Sequence, residues 1–105
     1  MADVYDKLVR DEIPAIIEAD GDEPTIHRAD DAAYRERLAD KLDEEVTEFL
    51  ESRDVEELVD IVEVVHAIRG TRGVSLETFQ EKRARKADRR GRFEERIVLE
   101  RVERS

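Results

Sequence analysis

The chain of 105 residues carries 29 acidic and 19 basic side chains, and its formal net charge is −10. This charge argues against general nucleic-acid binding, which needs a basic surface over the phosphates. The absence of cysteine excludes disulfides, thiol catalysis and thiolate metal sites. No apolar run approaches the roughly 18 residues of a membrane-spanning helix. The N-terminus lacks the pattern of a signal peptide, so we expect a cytoplasmic protein that binds no membrane.

The excess of acidic residues also suits a solvent of high salt concentration. Most of the basic residues are arginines, and an acidic chain poor in lysine suits a high-salt cytoplasm, where salt screens the net repulsion. We treat a halophile-like composition as a hypothesis about the source of the protein and not about its chemistry.

The hydrophobic pattern predicts four helical segments. Residues 5–19 carry apolar side chains at helical spacing, with Pro14 in the first turn of a helix and Gly21 after its end. Further helices are expected over residues 32–51, 55–69 and 76–90, each beginning after a capping residue. The capping residues are Asp30 or Asp31, Asp54 and Ser75. Gly70 and Gly91 are expected to end the third and fourth helices.

These elements indicate one mainly α domain, residues 1–105, built as a helical bundle. The side chains of residues 97–99 alternate as in a strand, so one short two-stranded element that joins them to Ile26 is possible. A core of this size is only marginally stable alone, so we expect oligomerisation to complete the bundle, as a homodimer or a tetramer.

Two acids of the second helix lie where an acid is not expected. At about 100° per residue, Glu44 and Glu51 fall on the solvent side of this helix. Glu45 falls inside the apolar stripe, and Glu48 falls at its edge. A carboxylate on a core face is strongly disfavoured unless it is paired or bound to a metal. The apolar stripe consists of Tyr34, Leu38, Leu42, Val46, Phe49 and Leu50.

The third helix repeats the anomaly. Apolar residues cover almost its whole circumference, which predicts a largely buried helix, and Glu57 and Asp60 fall between them. Only residues 52–54 connect the two helices, so they should form an antiparallel hairpin. In such a hairpin, residues equally distant from the turn face each other, so Glu48 should lie opposite Glu57 and Glu45 opposite Asp60. Four converging carboxylates would repel one another unless they held a hard cation such as Mg²⁺.

Ordinary explanations exist for two of these acids. Glu57 follows Asp54 by three residues and fits the reciprocal position of a capping box. Glu48 fits a rim residue that pairs with Arg53 or with a partner chain. Glu45 has neither a cap nor a solvent face available to it.

A basic cluster occupies residues 82–92, where Asp88 is the only acid. It either neutralises an acidic surface of this chain or a partner, or it binds substrate phosphates. Lys7 and Arg10 in the first segment are candidates to join it. His66, on the buried face of the third helix, is interpreted as a core or interface histidine.

The motifs resemble those of a known superfamily. Glu44-Glu45-Val46-Thr47-Glu48, followed by Glu57-Leu58-Val59-Asp60, resembles the EExxE…ExxD signature of the all-α NTP pyrophosphatases. That superfamily includes MazG-like enzymes, phosphoribosyl-ATP pyrophosphohydrolase and dimeric dUTPases. The stretches Tyr5-Asp6-Lys7-Leu8-Val9-Arg10-Asp11-Glu12-Ile13-Pro14 and Arg85-Lys86-Ala87-Asp88-Arg89-Arg90-Gly91-Arg92-Phe93 are similar to a compact MazG-like subgroup of house-cleaning enzymes.

The resemblance implies Mg²⁺, or Mn²⁺, held by Glu45, Glu48, Glu57 and Asp60. It implies hydrolysis of the α–β phosphoanhydride of a nucleoside triphosphate, giving a monophosphate and pyrophosphate. Glu48 or Glu44 is the expected general base, and Lys7, Arg10, Lys86 and Arg90 are the expected phosphate ligands. One departure is the short spacing of eight residues between Glu48 and Glu57. This spacing leaves open a second metal or an altered ligand set. Phosphoribosyl-ATP as substrate, or a helical dimer that binds a nucleotide or protein without turnover, are the alternatives.

Overall fold

The computed structural model describes residues 1–104, and this part of the chain is all-helical. Four helices form where capping residues and regularly spaced apolar residues predict them, which confirms the mainly α fold. The helices are α1 (Ile13–Ala19), α2 (Asp31–Ser52), α3 (Val55–Thr71) and α4 (Leu76–Arg90). None of them combines the length and apolar character that crossing a bilayer requires.

The two-stranded element left open by the sequence does not form within residues 1–104. Ile26 and the residues 97–99 have no strand structure, and their side chains are exposed. Two short extended segments without further strands or a covering helix are at best marginally stable in water, which accounts for the difference.

Polar side chains fix the ends of the helical hairpin formed by α2 and α3. Asp30 accepts a hydrogen bond from the Ala33 backbone N–H at 2.8 Å, and Asp54 accepts one from the Glu56 N–H at 3.0 Å. Arg53, between the two helices, adopts a left-handed conformation with φ 59°. These features end α2 and begin α3 within two residues, as the short predicted connection requires.

The core between α2 and α3 is small. Leu38 of α2 and Val64 of α3 are its buried apolar residues, at 2% and 8% exposure. α2 and α3 are the pair of helices in extensive contact within the described chain. Because so little apolar surface is buried, any charged group in this core has a large effect on its stability.

The expectation that α3 is largely buried is wrong for the single chain. Its face toward α2 is covered, but Val55, Leu58, Val59 and Val62 remain between 42% and 69% exposed. These four residues repeat at intervals of three and four, so they form one stripe on the far side of α3 from α2. A single neighbouring helix can cover only one side of α3.

Contacts divide the chain into two compact units, Met1–Gly73 and Val74–Ser105. The second unit contains α4, which Ser75 caps by accepting a hydrogen bond from the Thr78 N–H at 3.1 Å. Gly91 follows the helix with φ 78°, a conformation that glycine adopts without strain. The described residues after it, up to 104, form no regular element, and their apolar side chains are exposed.

Candidate metal centre

Glu45 is a buried carboxylate in the middle of α2. Its side chain is 9% exposed, which is unusual for a glutamate. Leu38, two turns earlier on the same face of the helix, is also buried. The prediction that Glu45 lies in the apolar stripe is therefore confirmed.

Three of the four predicted metal ligands come together at this point of the hairpin. Each of Glu45, Glu57 and Asp60 offers one carboxylate oxygen, and these oxygens lie within 4.8 Å of one another. Glu57 is in the first turn of α3 and Asp60 follows one turn later, so the packing of α3 on α2 brings both to Glu45. Glu57 and Asp60 are half-buried.

The two oxygens of Glu45 have different surroundings. Oε1 lies 3.3 Å from the ammonium of Lys41. Oε2 is buried and has no hydrogen-bond partner. Burying an oxygen of this kind without a partner is costly, so Oε2 is the atom that a bound cation would satisfy.

Burial raises the pKa of Glu45 above its usual value. The hydrogen bond from Lys41 opposes this rise, while the neighbouring carboxylate of Glu48 reinforces it. Both burial and a nearby like charge disfavour the ionised form. A divalent cation would reverse the balance, because it favours the deprotonated carboxylate.

Glu44 is held by two lysines. Lys7 donates to Oε1 at 3.0 Å, and Lys41 donates to Oε2 at 3.2 Å. Burial alone raises the pKa of Glu44, but the hydrogen bonds from Lys7 and Lys41 outweigh it, and the pKa is lowered. The solvent-facing position expected for Glu44 is wrong, since its side chain is only 30% exposed. The helical wheel missed this because the N-terminal segment, which carries Lys7, packs beside α2.

The segment that precedes α1 is fastened to both helices of the hairpin. Arg37 of α2 donates to the backbone oxygen of Asp6 at 2.7 Å and to Asp6 Oδ1 at 3.1 Å. Arg10 donates to Asp60 Oδ1 at 2.7 Å, and this hydrogen bond raises the pKa of the guanidinium. The hydrogen bond to Glu44 likewise raises the pKa of Lys7. Two predicted phosphate-binding residues, Lys7 and Arg10, thus lie at the carboxylates.

Glu48 lies next to the cluster but is not one of the three grouped carboxylates. Its side chain is exposed, one turn beyond Glu45 on α2, and its charge acts on both Glu45 and Lys7. The alternative that Glu48 pairs with Arg53 gains no support, because Arg53 Nε donates to the Leu50 carbonyl oxygen.

The capping-box explanation for Glu57 is wrong. The backbone N–H of Asp54, which the Glu57 side chain would have to reach, donates instead to Ser52 Oγ at 3.1 Å. The Glu57 side chain is therefore not needed by the cap and is available to the cluster. Its position in the first turn of α3 also favours a negative charge there.

Lys86 and Arg90 lie on α4, in the unit that begins at Val74. Their role at substrate phosphates stays a prediction. His66 lies half-buried on α3, where the Arg69 Nε donates to its Nδ1 at 3.3 Å, and His27 is exposed in the loop before α2.

Sequence reasoning missed two residues of the site, Arg37 and Lys41. They precede Glu45 by eight and four residues, so the three share one row along α2. A search for basic residues one and two turns before a buried acid would have found both.

The donor set fits a hard divalent cation. Three carboxylates from two packed helices, one with an unpartnered buried oxygen, are the oxygen ligands that Mg²⁺ and Mn²⁺ prefer. Three protein ligands would leave coordination positions on such a cation for water or for phosphate oxygens.

Comparisons of the chain with protein-family models, with curated proteins and with solved structures gave no match. The resemblance of its motifs to the all-α NTP pyrophosphatases therefore stays a prediction, carried by the residues quoted above.

Proposed function

We propose that the protein is a Mg²⁺-dependent nucleotide pyrophosphohydrolase that acts on a nucleoside triphosphate, in a house-cleaning role toward non-canonical nucleotides. The observation that carries the proposal is the buried carboxylate of Glu45, whose Oε2 is unpartnered and which is grouped with those of Glu57 and Asp60. A protein without need of a cation here would gain stability by replacing Glu45 with an apolar residue. The EExxE…ExxD signature then supplies the reaction class.

Glu45, Glu57 and Asp60 would hold the cation, and Glu48, one turn beyond Glu45 on α2, would act on water. A bound Mg²⁺ would supply Lewis acidity toward water and would neutralise charge on the phosphates. The water oxygen attacks the α-phosphorus, and the bond from that phosphorus to the α–β bridging oxygen breaks. The water proton passes to a carboxylate, and pyrophosphate leaves with the bridging oxygen.

Of the two candidate bases, Glu48 suits the role better. Both oxygens of Glu44 accept hydrogen bonds from lysines, and its pKa is lowered. A base with a lowered pKa and no free oxygen accepts a proton poorly. Glu48 is exposed and lies beside Glu45.

Lys7 and Arg10 act as the first phosphate ligands. They pair with Glu44 and Asp60, and their side chains are 41% and 52% exposed, so they can turn toward an arriving triphosphate. Arginine suits phosphate because its guanidinium donates two parallel hydrogen bonds. The phosphate-binding role of Lys86 and Arg90 on α4 rests on the motif resemblance alone.

A homodimer is part of the proposal. The exposed stripe of Val55, Leu58, Val59 and Val62 on α3 is a continuous apolar face, and a second copy offers the same face. Contiguous apolar surface of this kind marks an interaction site more often than a solvated face. An association in which the same patch serves both copies is the commonest form of oligomer.

The test is a hydrolysis screen over standard and damaged nucleoside triphosphates and phosphoribosyl-ATP, with Mg²⁺ and at high salt, run in ¹⁸O-labelled water. Label in the monophosphate, together with release of pyrophosphate, identifies attack at the α-phosphorus. Glu45→Gln and Asp60→Asn should lose turnover, whereas Glu51→Gln, at the exposed end of α2, should keep it.

Preference for phosphoribosyl-ATP would assign the protein to that substrate instead. If no substrate turns over although Mg²⁺ binds, a binding module is favoured. Absence of both turnover and metal binding would refute the metal centre.

A further inference from the structure

The ammonium of Lys41 bridges two adjacent carboxylates of α2. Its Nζ lies 3.2 Å from Glu44 Oε2 and 3.3 Å from Glu45 Oε1. The Lys41 side chain is 16% exposed, so the bridge is largely removed from water. A cation that links oxygens of two acidic side chains has the arrangement of a bridging metal ion.

Helix propensity does not account for this bridge. Lysine and glutamate four residues apart stabilise a helix better when the glutamate comes first. Lys41 precedes both Glu44 and Glu45, which is the less favourable order. Long cationic side chains also usually extend into water, whereas this one is kept against the carboxylates.

We propose that the Lys41 ammonium takes the place of a second divalent cation, so that the centre binds a single ion on the Oε2 side of Glu45. The inference rests on the proposed function, because it takes Glu45, Glu57 and Asp60 as the ligands of that ion. Oε1 of Glu45 is committed to Lys41, and Oε2 is without a partner. Lys41 thereby selects which oxygen of Glu45 serves the metal.

Lys41 also determines the part that Glu44 plays. With Lys7 on Oε1 and Lys41 on Oε2, neither oxygen of Glu44 is open to a metal. Removing the Lys41 ammonium would leave Glu44 and Glu45 side by side, with Glu48 nearby and one fewer cation to offset their charge. Repelling carboxylates in such a position attract a hard cation. Lys41 is thus a positioning residue that sets the number of ions.

The experiment measures Mn²⁺ binding to the full chain by isothermal titration calorimetry and by electron paramagnetic resonance, without nucleotide. Mn²⁺ takes the same oxygen ligands as Mg²⁺ and has a spectrum that distinguishes an isolated ion from a coupled pair. The variants are Lys41→Met, which removes the charge, and Lys41→Arg, which keeps it. Circular dichroism checks that each variant is folded.

We expect one Mn²⁺ per chain in the wild type and in Lys41→Arg. Lys41→Met should bind two, with the broadened spectrum of a coupled pair. Two ions in the wild type would overturn the inference, and so would a single ion with unchanged affinity in Lys41→Met. If Lys41→Met does not fold, Lys41→Gln replaces it, and the same binding of two Mn²⁺ ions is expected. No Mn²⁺ bound by the wild type would instead refute the metal centre of the proposed function, and the inference with it.

Discussion

The guanidinium of Arg10 donates a hydrogen bond of 2.7 Å to Asp60 Oδ1, linking residues fifty positions apart in the chain. Arg10 comes from the segment before α1, and Asp60 belongs to the carboxylate group of the hairpin. The arginine therefore binds a carboxylate that the proposed metal centre needs. Metal binding and release of Arg10 should be linked, with the triphosphate as the alternative partner of the guanidinium.

Replacing Arg10 with glutamine should have opposite effects on metal and substrate. Loss of the competing cation should tighten binding of free Mn²⁺, while loss of a phosphate ligand should raise the KM for the nucleotide by about tenfold or more, the usual range for a charged hydrogen bond. Calorimetry and steady-state kinetics measure the two effects. Arg28→Gln, an exposed arginine in the loop before α2, serves as the control. A parallel weakening of both would show that Arg10 is only structural.

Two neighbouring glutamates in the first turn of α3 offer a matched pair of variants. Glu57 belongs to the carboxylate group, whereas Glu56 is exposed and its backbone N–H serves the Asp54 cap. Glu57→Gln should weaken Mn²⁺ binding by at least tenfold, because it removes a charged ligand. Glu56→Gln should leave the affinity within twofold. Equal effects would indicate a general influence of negative charge and not ligation by Glu57.

Glu45→Gln should stabilise the metal-free protein. The buried carboxylate has an unpartnered oxygen, and the neutral amide lowers the cost of burying charge while nearly keeping the shape. We expect a gain on the order of 1 kcal/mol in the free energy of unfolding, measured by urea denaturation with a chelator present. With saturating Mg²⁺ the order should reverse, because only the wild type gains stability from ligand binding. A variant less stable than the wild type in the chelator would contradict the assigned burial cost.

The pKa shifts of Glu45 and Glu44 predict how the stability of the two glutamine variants depends on pH. The folded-state pKa of Glu45 is raised, so its destabilising effect is complete above that folded pKa and disappears as the pH falls below the unfolded value near 4.5. The advantage of Glu45→Gln should therefore shrink on acidification in the presence of chelator. Glu44 has a lowered pKa, so Glu44→Gln should be less stable than the wild type at neutral pH, and that deficit should vanish as the pH falls through the folded pKa. Thermal unfolding from neutral pH down to about pH 2, roughly two units below the usual carboxylate value, tests the two opposite slopes.

The sequence predicted the hairpin well because its signals are local. Asp54 and the short connection specify the turn, and an antiparallel pair then places Glu45 level with Asp60 by residue number alone. The surroundings of Glu44 were not predictable in this way. A helical wheel contains no information about other segments, and Lys7, which donates a hydrogen bond to Glu44, is 37 residues away in sequence.

The exposed stripe of α3 shows a second limit of pattern reasoning. Apolar residues around a whole helix predict burial but do not say which chain provides the cover. Val62 is 52% exposed in the single chain. The pattern and the structure agree if a second copy of the chain covers this face. The small size of the core had already suggested an oligomer.

Val62→Glu should therefore separate the subunits. Val62 lies in the middle of the stripe, where a carboxylate from each copy would be buried without a partner, at a cost of several kcal/mol per dimer. Light scattering at high salt should give twice the chain mass of 12.2 kDa for the wild type and the single-chain mass for the variant. Val98→Glu, at an 82% exposed position of the tail, is the matched control and should keep the wild-type mass. A monomeric wild type would mean that the stripe is not a homodimer interface, whereas a Val62→Glu dimer would place the interface on another surface.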